Sequence, residues 1–66
     1  MEPCQERVVE EKVELDKKVG KLVEFITSSP VFATLPRPER GRLVRQFHFM
    51  QGYAIVLDAR IEAFVL

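Results

Sequence analysis

The sequence predicts an all-α protein: a single domain over residues 1–66, built as an antiparallel two-helix hairpin with a short helical turn in the connection. Two long segments repeat apolar residues at spacings of three and four, which is the period of an amphipathic helix. A short connection containing serines and prolines separates them, and a short connection favours antiparallel packing. No useful length of chain alternates apolar with polar residues as a half-buried strand would.

The first helix is predicted over residues 3–27. Pro3 suits the first turn, because its missing N–H has no helical partner there. Gly20 lies in the helix interior, where glycine costs about 1 kcal/mol relative to alanine, so it is either a tolerated defect or a point where another helix approaches closely. The expected core stripe, which Lys12 interrupts, consists of Val8, Leu15, Val19, Leu22 and Ile26.

The bridge covers residues 28–37, and the second helix is predicted over residues 38–65. Ser29 followed by Pro30 is a typical N-cap and first-position pair, which predicts a helical turn over residues 30–34. Phe32 and Leu35 are expected to cover the end of the core. Pro38 suits the first position of the second helix.

The second helix is apolar on several sides, and residues 46–57 contain no formally charged side chain. Its main stripe needs only one partner helix, but further apolar residues lie on two other sides, and such a helix is typically buried. A chain this short cannot cover them alone. A homo-oligomeric helical bundle is therefore predicted, with Phe49, Ile55, Val56 and Ala63 at the interface; Val44 and Leu66 lie on the same side as Ile55.

Composition narrows the function classes. Cys4 is the only cysteine and His48 the only histidine, which leaves no intrachain disulfide and no metal-ligand spacing. Cys4 is therefore interpreted as incidental, and His48 as a partly buried or interface residue rather than a catalytic base. With no nucleophile motif or nucleotide fingerprint, we expect a non-enzyme without a cofactor. No signal peptide or membrane-length apolar stretch is visible, so we expect a cytoplasmic protein without a membrane partner.

The charges are segregated although the net charge is zero: residues 1–16 carry −4 and residues 31–45 carry +3. Arg37, Arg40, Arg42 and Arg45 surround the predicted start of the second helix, where positive charge opposes the helix dipole. A bound phosphate or carboxylate would offset that penalty. Pairing with Glu39 and with the acidic end of a neighbouring subunit is the alternative.

Tyr53 completes the candidate ligand-binding set. Its ring either stacks on a base or is buried while its hydroxyl finds a partner. Because the net charge is zero and exposed aromatic residues are not interleaved with the arginines, a nucleic acid is not expected as a partner.

A resemblance to a known family rests on less generic residues: Phe25-Ile26, Gln46, Met50, Tyr53 and Arg60-Ile61. The chain resembles a family of very short phage and prophage helical-hairpin proteins. Its architecture is similar to the hairpin domain of the anti-CBASS and anti-Thoeris sponges, which sequester cyclic-nucleotide alarm signals. The resemblance implies a homo-oligomer with ligand pockets at subunit junctions and no catalysis, but no sponge pocket motif maps onto residues of this chain.

The resulting hypothesis is a non-enzymatic, phage-type counter-defence protein that sequesters a cyclic nucleotide as a homo-oligomer in the host cytoplasm. Two alternatives stay open. One is a protein-directed, anti-CRISPR-like inhibitor of a host defence protein, which would use the acidic N-terminal face or the apolar back of the second helix. The other is an assembly subunit without a ligand.

Overall fold

The computed structural model describes residues 1–64 and contains three helices: α1 (Pro3–Ser28), α2 (Pro30–Thr34) and α3 (Arg37–Glu62). No strand is present in these residues, which confirms the all-α class. None of the three helices is both long enough and apolar enough to cross a membrane. The second helix was predicted to reach residue 65, but α3 ends at Glu62, three residues earlier. The side assigned to Leu66 lies outside the described residues.

Local chemistry explains where α1 begins and ends. The backbone N–H of Glu2 donates to Oε1 of Gln5 at 2.9 Å, just before Pro3 begins the helix. At the other end Ser29 has an extended backbone (φ −82°, ψ 127°), as expected for a residue that precedes proline. The helix therefore ends at Ser28, one residue beyond the predicted end.

The same serine begins α2. The N–H of Val31 donates to Oγ of Ser29 at 3.2 Å, which makes Ser29 the N-cap of a helix that starts at Pro30. A second stop follows at Pro36, and α3 begins at Arg37, one residue before the predicted Pro38. The break between α1 and α2 thus follows from the capping by Ser29 before Pro30, and the break between α2 and α3 lies at Pro36.

The core lies between α1 and the C-terminal half of α3. Val8 and Leu15 are buried against Leu57, whose side chain is 0% exposed. Because an early part of α1 meets a late part of α3, the two helices run antiparallel. Partly buried residues extend this core along the seam: Val19, Met50, Ala54, Ile61 and Phe64.

The molecule is a rod of 48 × 15 × 14 Å. At one end, α2 folds back on α1 so that the rings of Phe25 and Phe32 meet edge to face, 5.9 Å apart at 84°. This geometry is a favoured one for aromatic pairs. It fixes Phe32 beside the first turns of α3.

Several large apolar side chains of α3 remain uncovered. Phe49 is 74% exposed, Ile55 64% and Val56 55%, and Ala63 is also exposed. These are the residues predicted to contact other copies of the chain. Their exposure in one chain agrees with that prediction, while the assembly itself stays a prediction.

Candidate anion-binding site

A groove of about 450 Å³ lies on the outer side of the N-terminal half of α3 and is open to solvent. Its volume is in the range of small-molecule sites, about 300–1,000 Å³. We call it the arginine groove. Its lining residues are Phe32, Arg37, Arg40, Gly41, Val44, Arg45 and His48.

Helix periodicity explains which arginines reach the groove. Its α3 residues follow one another at alternating spacings of three and one and so occupy one side of the helix. Arg42 falls on another side, where its Nε donates to Oε1 of Glu39 at 2.7 Å. The four arginines that cluster in sequence are thus divided: three line the groove, and one forms an ion pair outside it.

The three groove arginines form no ion pair with a carboxylate among residues 1–64. The ion pairs within residues 1–64 join Lys12 to Asp16 and Asp58, Lys17 to Glu14, and Arg42 to Glu39. None of them involves Arg37, Arg40 or Arg45. The pairing with Glu39 that the sequence offered as an alternative therefore accounts for only one of the four arginines.

Arg40 carries the most informative atom of the groove. Its Nε is buried and has no hydrogen-bond partner among the described residues. Leaving such a donor unsatisfied costs about 1–3 kcal/mol, and more for a charged group. The arginines also crowd the positive end of a helix dipole, and a bound anion would relieve that penalty.

The groove also has an apolar wall. Phe32 lines it from α2 and Val44 from α3, and the exposed His48 stands at its far end with its ring 5.5 Å from that of Phe47. An aromatic ring beside guanidinium groups can pack against a planar base while the arginines hold a phosphate. His48 adds a hydrogen-bonding group.

Sequence reasoning missed four of the lining residues: Phe32, Gly41, Val44 and His48. Helical spacing from Arg37 would have found the three on α3, because they lie four, seven and eleven residues further along. Phe32 could not be found in this way, since its position depends on how α2 folds back on α1. The sequence predicts a partly buried or interface position for His48, but in the single chain this residue is exposed.

Tyr53 does not join the arginine groove within one chain. It is 44% exposed and is not among the lining residues. Eight residues separate it from Arg45, which is about 12 Å along the helix axis. A shared site would need Tyr53 from another copy, so its role as a ligand contact stays a prediction.

A second, smaller recess of about 310 Å³ lies at the end of α1, lined by Lys21, Glu24, Phe25, Ser28 and Ser29. Here Lys21 and Glu24 carry opposite charges, so the recess has no net preference for an anion. Cys4 is an exposed free thiol, and no three metal-ligating side chains are grouped together in the part of the chain that the structure describes. The arginine groove is therefore the candidate site.

Comparison with known proteins gives one match. The sequence model of the family described as Sequestin matches residues 2–63, which is all but four of the 66 residues. The matched span includes both long helices and every residue of the arginine groove. Searches among curated proteins and among solved structures found no match.

Proposed function

We propose, since this chain belongs to the Sequestin family, that it binds and sequesters a cyclic-nucleotide immune signal without converting it. The family name suggests a sequestering role. The observation that carries the proposal is the arginine groove, where three guanidinium groups that form no ion pair among the described residues line one side of α3.

The chemistry of the groove supports a phosphodiester as the ligand. A phosphodiester can accept paired hydrogen bonds from a guanidinium group, and these bonds are stronger than those between neutral groups. Arg37, Arg40 and Arg45 bring guanidinium groups to the groove, and the positive end of the α3 dipole lies at the first turn of that helix. Phe32 provides a surface for a base.

The proposed mechanism is binding alone. Sequestration lowers the free concentration of the signal, and this requires affinity but no bond cleavage. Guanidinium groups, an aromatic ring and an imidazole hold and orient an anion, and we assign no catalytic step to them. We place this activity in a phage-encoded protein that acts in the host cytoplasm, as the resemblance to phage sponges implies.

We further propose that the protein acts as a homo-oligomer through Phe49, Ile55, Val56 and Ala63. The same exposed residues support the second candidate function, capture of a host defence protein on the apolar back of α3. The two functions differ in what the protein binds: a cyclic nucleotide in the arginine groove, or a host protein on the apolar surface.

The first experiment is a thermal-shift panel of cyclic dinucleotides, cyclic trinucleotides and cyclic ADP-ribose isomers, with linear nucleotides as controls, at two salt concentrations. A ligand at 100 times its Kd adds about 2.7 kcal/mol to the free energy of unfolding. That is a shift of several degrees in a domain of this size. A selective shift supports sequestration, whereas no shift with any cyclic species contradicts it and favours the host-protein candidate.

The assignment of the arginine groove is tested with two variants of equal charge, Arg45→Gln and Arg42→Gln. Arg45→Gln should weaken binding of the selected nucleotide about tenfold or more, because it removes a charge-assisted hydrogen bond worth about 1.5–3 kcal/mol. Arg42→Gln should change the Kd much less, since Arg42 pairs with Glu39 outside the groove. Isothermal titration calorimetry gives both Kd values, and equal losses would contradict the assignment.

A further inference from the structure

Gly41 is unfavourable for the helix that contains it, and no contact with the described residues requires a glycine there. A Cβ built at this position meets no atom of the described residues within 4 Å. Alanine is a much better helix former than glycine. The folded chain would therefore be more stable with alanine at this position. Gly20 and Gly52 are equally uncrowded, but neither of them lines the arginine groove, whereas Gly41 does.

The position of Gly41 relates its missing side chain to the arginine groove. It lies one helical turn after Arg37 and one turn before Arg45, next to Arg40, and all of these residues line the arginine groove. Arg37 and Arg45 are about 12 Å apart along the axis at a rise of 1.5 Å per residue. Between them the missing side chain leaves the backbone of α3 uncovered as the floor of the groove.

We infer that Gly41 is a specificity-determining residue of the groove, whose bare backbone lets the sugar or base of a nucleotide lie directly against α3 while arginines hold its phosphate. This inference rests on the proposed function of the groove. It adds a shape criterion: the site accepts a phosphate that carries a flat ring system, and one methyl group at position 41 is enough to disturb it. Inorganic phosphate, held by the arginines alone, does not need the bare floor.

The test compares Gly41→Ala with Gly20→Ala. Gly20 is a matched control, because it is also a helical glycine with no atom near its Cβ position, but it lies on α1 and outside the groove. Both variants should raise the Tm of the free protein by about 4–8 °C. Gly41→Ala should weaken the nucleotide that binds best in the thermal-shift panel about tenfold or more, and Gly20→Ala should leave its Kd unchanged.

Two further measurements complete the design. Inorganic phosphate serves as a small probe, and its affinity should be the same for wild type and Gly41→Ala. Gly41→Ser, with a slightly larger side chain, should weaken the nucleotide at least as much as Gly41→Ala. Isothermal titration calorimetry measures the Kd values, and light scattering measures the mass of each free variant.

The possible failures point to different errors. If Gly41→Ala binds the nucleotide like wild type while Arg45→Gln does not, the inference is overturned and the groove stands. If Gly41→Ala lowers the Tm and changes the mass, another copy packs on Gly41, which also overturns the inference. If wild type binds none of the cyclic nucleotides, the proposed function itself fails, and the inference fails with it.

Discussion

Lys12 interrupts an apolar stripe in the sequence, but in the structure it forms an ion pair that links two helices. It interrupts the apolar stripe of α1, yet its side chain is only 15% exposed. Its Nζ lies 2.6 Å from Oδ2 of Asp16 on the same helix and 3.1 Å from Oδ1 of Asp58 on α3. The ammonium group thus joins the two long helices at the edge of the core.

The ion pairs of Lys12 should make the stability of the fold decrease at alkaline pH. The hydrogen bonds of Lys12, to Asp16 first and then to Asp58, raise its pKa above the ordinary value of 10.5. A raised pKa in the folded state means that the stabilisation is complete below the unfolded-state pKa and is lost as the pH rises through the folded-state pKa. The Tm of wild type should therefore fall above about pH 10.5.

Lys12→Met isolates this effect, because methionine retains much of the apolar stem of the side chain and cannot titrate. The difference in Tm between wild type and Lys12→Met should stay constant through neutral pH and move against wild type above pH 10.5. Circular dichroism melts over this range measure it. Parallel pH curves for the two proteins would show that Lys12 contributes nothing that depends on its charge.

Arg42 marks the limit of reasoning from clusters in sequence. Positions 40 and 42 are about 200° apart around a helix, so the spacing already implied that both could not face one ligand. Glu39, three residues before Arg42, was the visible pairing partner. The spacing of the arginines in the sequence was therefore enough to predict that Arg42 lies on a different side of α3 from Arg40. The unsatisfied Nε of Arg40 was not predictable, since it depends on side-chain burial.

Among the elements, the five-residue α2 determines how the site is built. It is too short to contribute much core, and none of its residues is buried. Its role is to carry Phe32 to a place where the ring touches Phe25 on one side and borders the arginine groove on the other. A connection between two helices thus becomes one wall of the candidate site.

The two partners of this aromatic pair can be separated experimentally. Phe32→Leu and Phe25→Leu both remove the same edge-to-face contact, which is worth about 0.5–1.5 kcal/mol, so both should lower the Tm by a few degrees. Only Phe32 lines the groove. Phe32→Leu should therefore also weaken the selected nucleotide by about 1–3 kcal/mol through lost stacking.

Thermal melts and calorimetric titrations of both variants measure these effects. A nucleotide Kd that changes equally in Phe25→Leu and Phe32→Leu would mean that the ring acts only by holding α2 in place. Stacking by Phe32 would then be excluded.

The elements were largely predictable, because local chemistry defines them. The helix boundaries follow from a capping serine and from prolines, namely Ser29, Pro30 and Pro36. All three helices could therefore be placed to within a few residues. The C-terminal end of α3 was harder. Phe64 N–H donates to the carbonyl of Ile61 at 3.0 Å, so α3 gives way to a tighter turn after Glu62, and no glycine or proline announces this in the sequence.

At the scale of the whole molecule, the main imbalance is between a small core and a large exposed apolar surface. Val8, Leu15 and Leu57 are the buried residues of the described chain. Phe49 and Val56, one heptad apart on the outer side of α3, are more than half exposed, and Tyr53 lies between them. A two-helix rod has no third layer to cover this surface, and stable domains bury such surfaces against another layer.

The self-association that we propose should depend on this surface. Phe49→Gln combined with Val56→Gln should convert an oligomer at tens of micromolar into a monomer, because two large apolar contacts are lost from the interface. The Tm of wild type should rise with protein concentration, and the Tm of the double variant should not. Size-exclusion chromatography with light scattering gives the mass.

Val13→Gln is the matched control, since Val13 is an exposed valine on α1. It should leave the mass of the oligomer unchanged. A wild-type protein that is monomeric at tens of micromolar would contradict the predicted homo-oligomer, whatever the behaviour of the variants.

The presence of the arginine groove in so small a rod affects how much ligand a given amount of protein can bind. A protein that captures a molecule without converting it is consumed one site at a time, so its capacity depends on how many sites a cell can make in a given time. One groove in 66 residues is a high number of sites for the amount of polypeptide synthesised. In the proposed sequestering role, this ratio of sites to residues sets how many signal molecules a given mass of the protein removes.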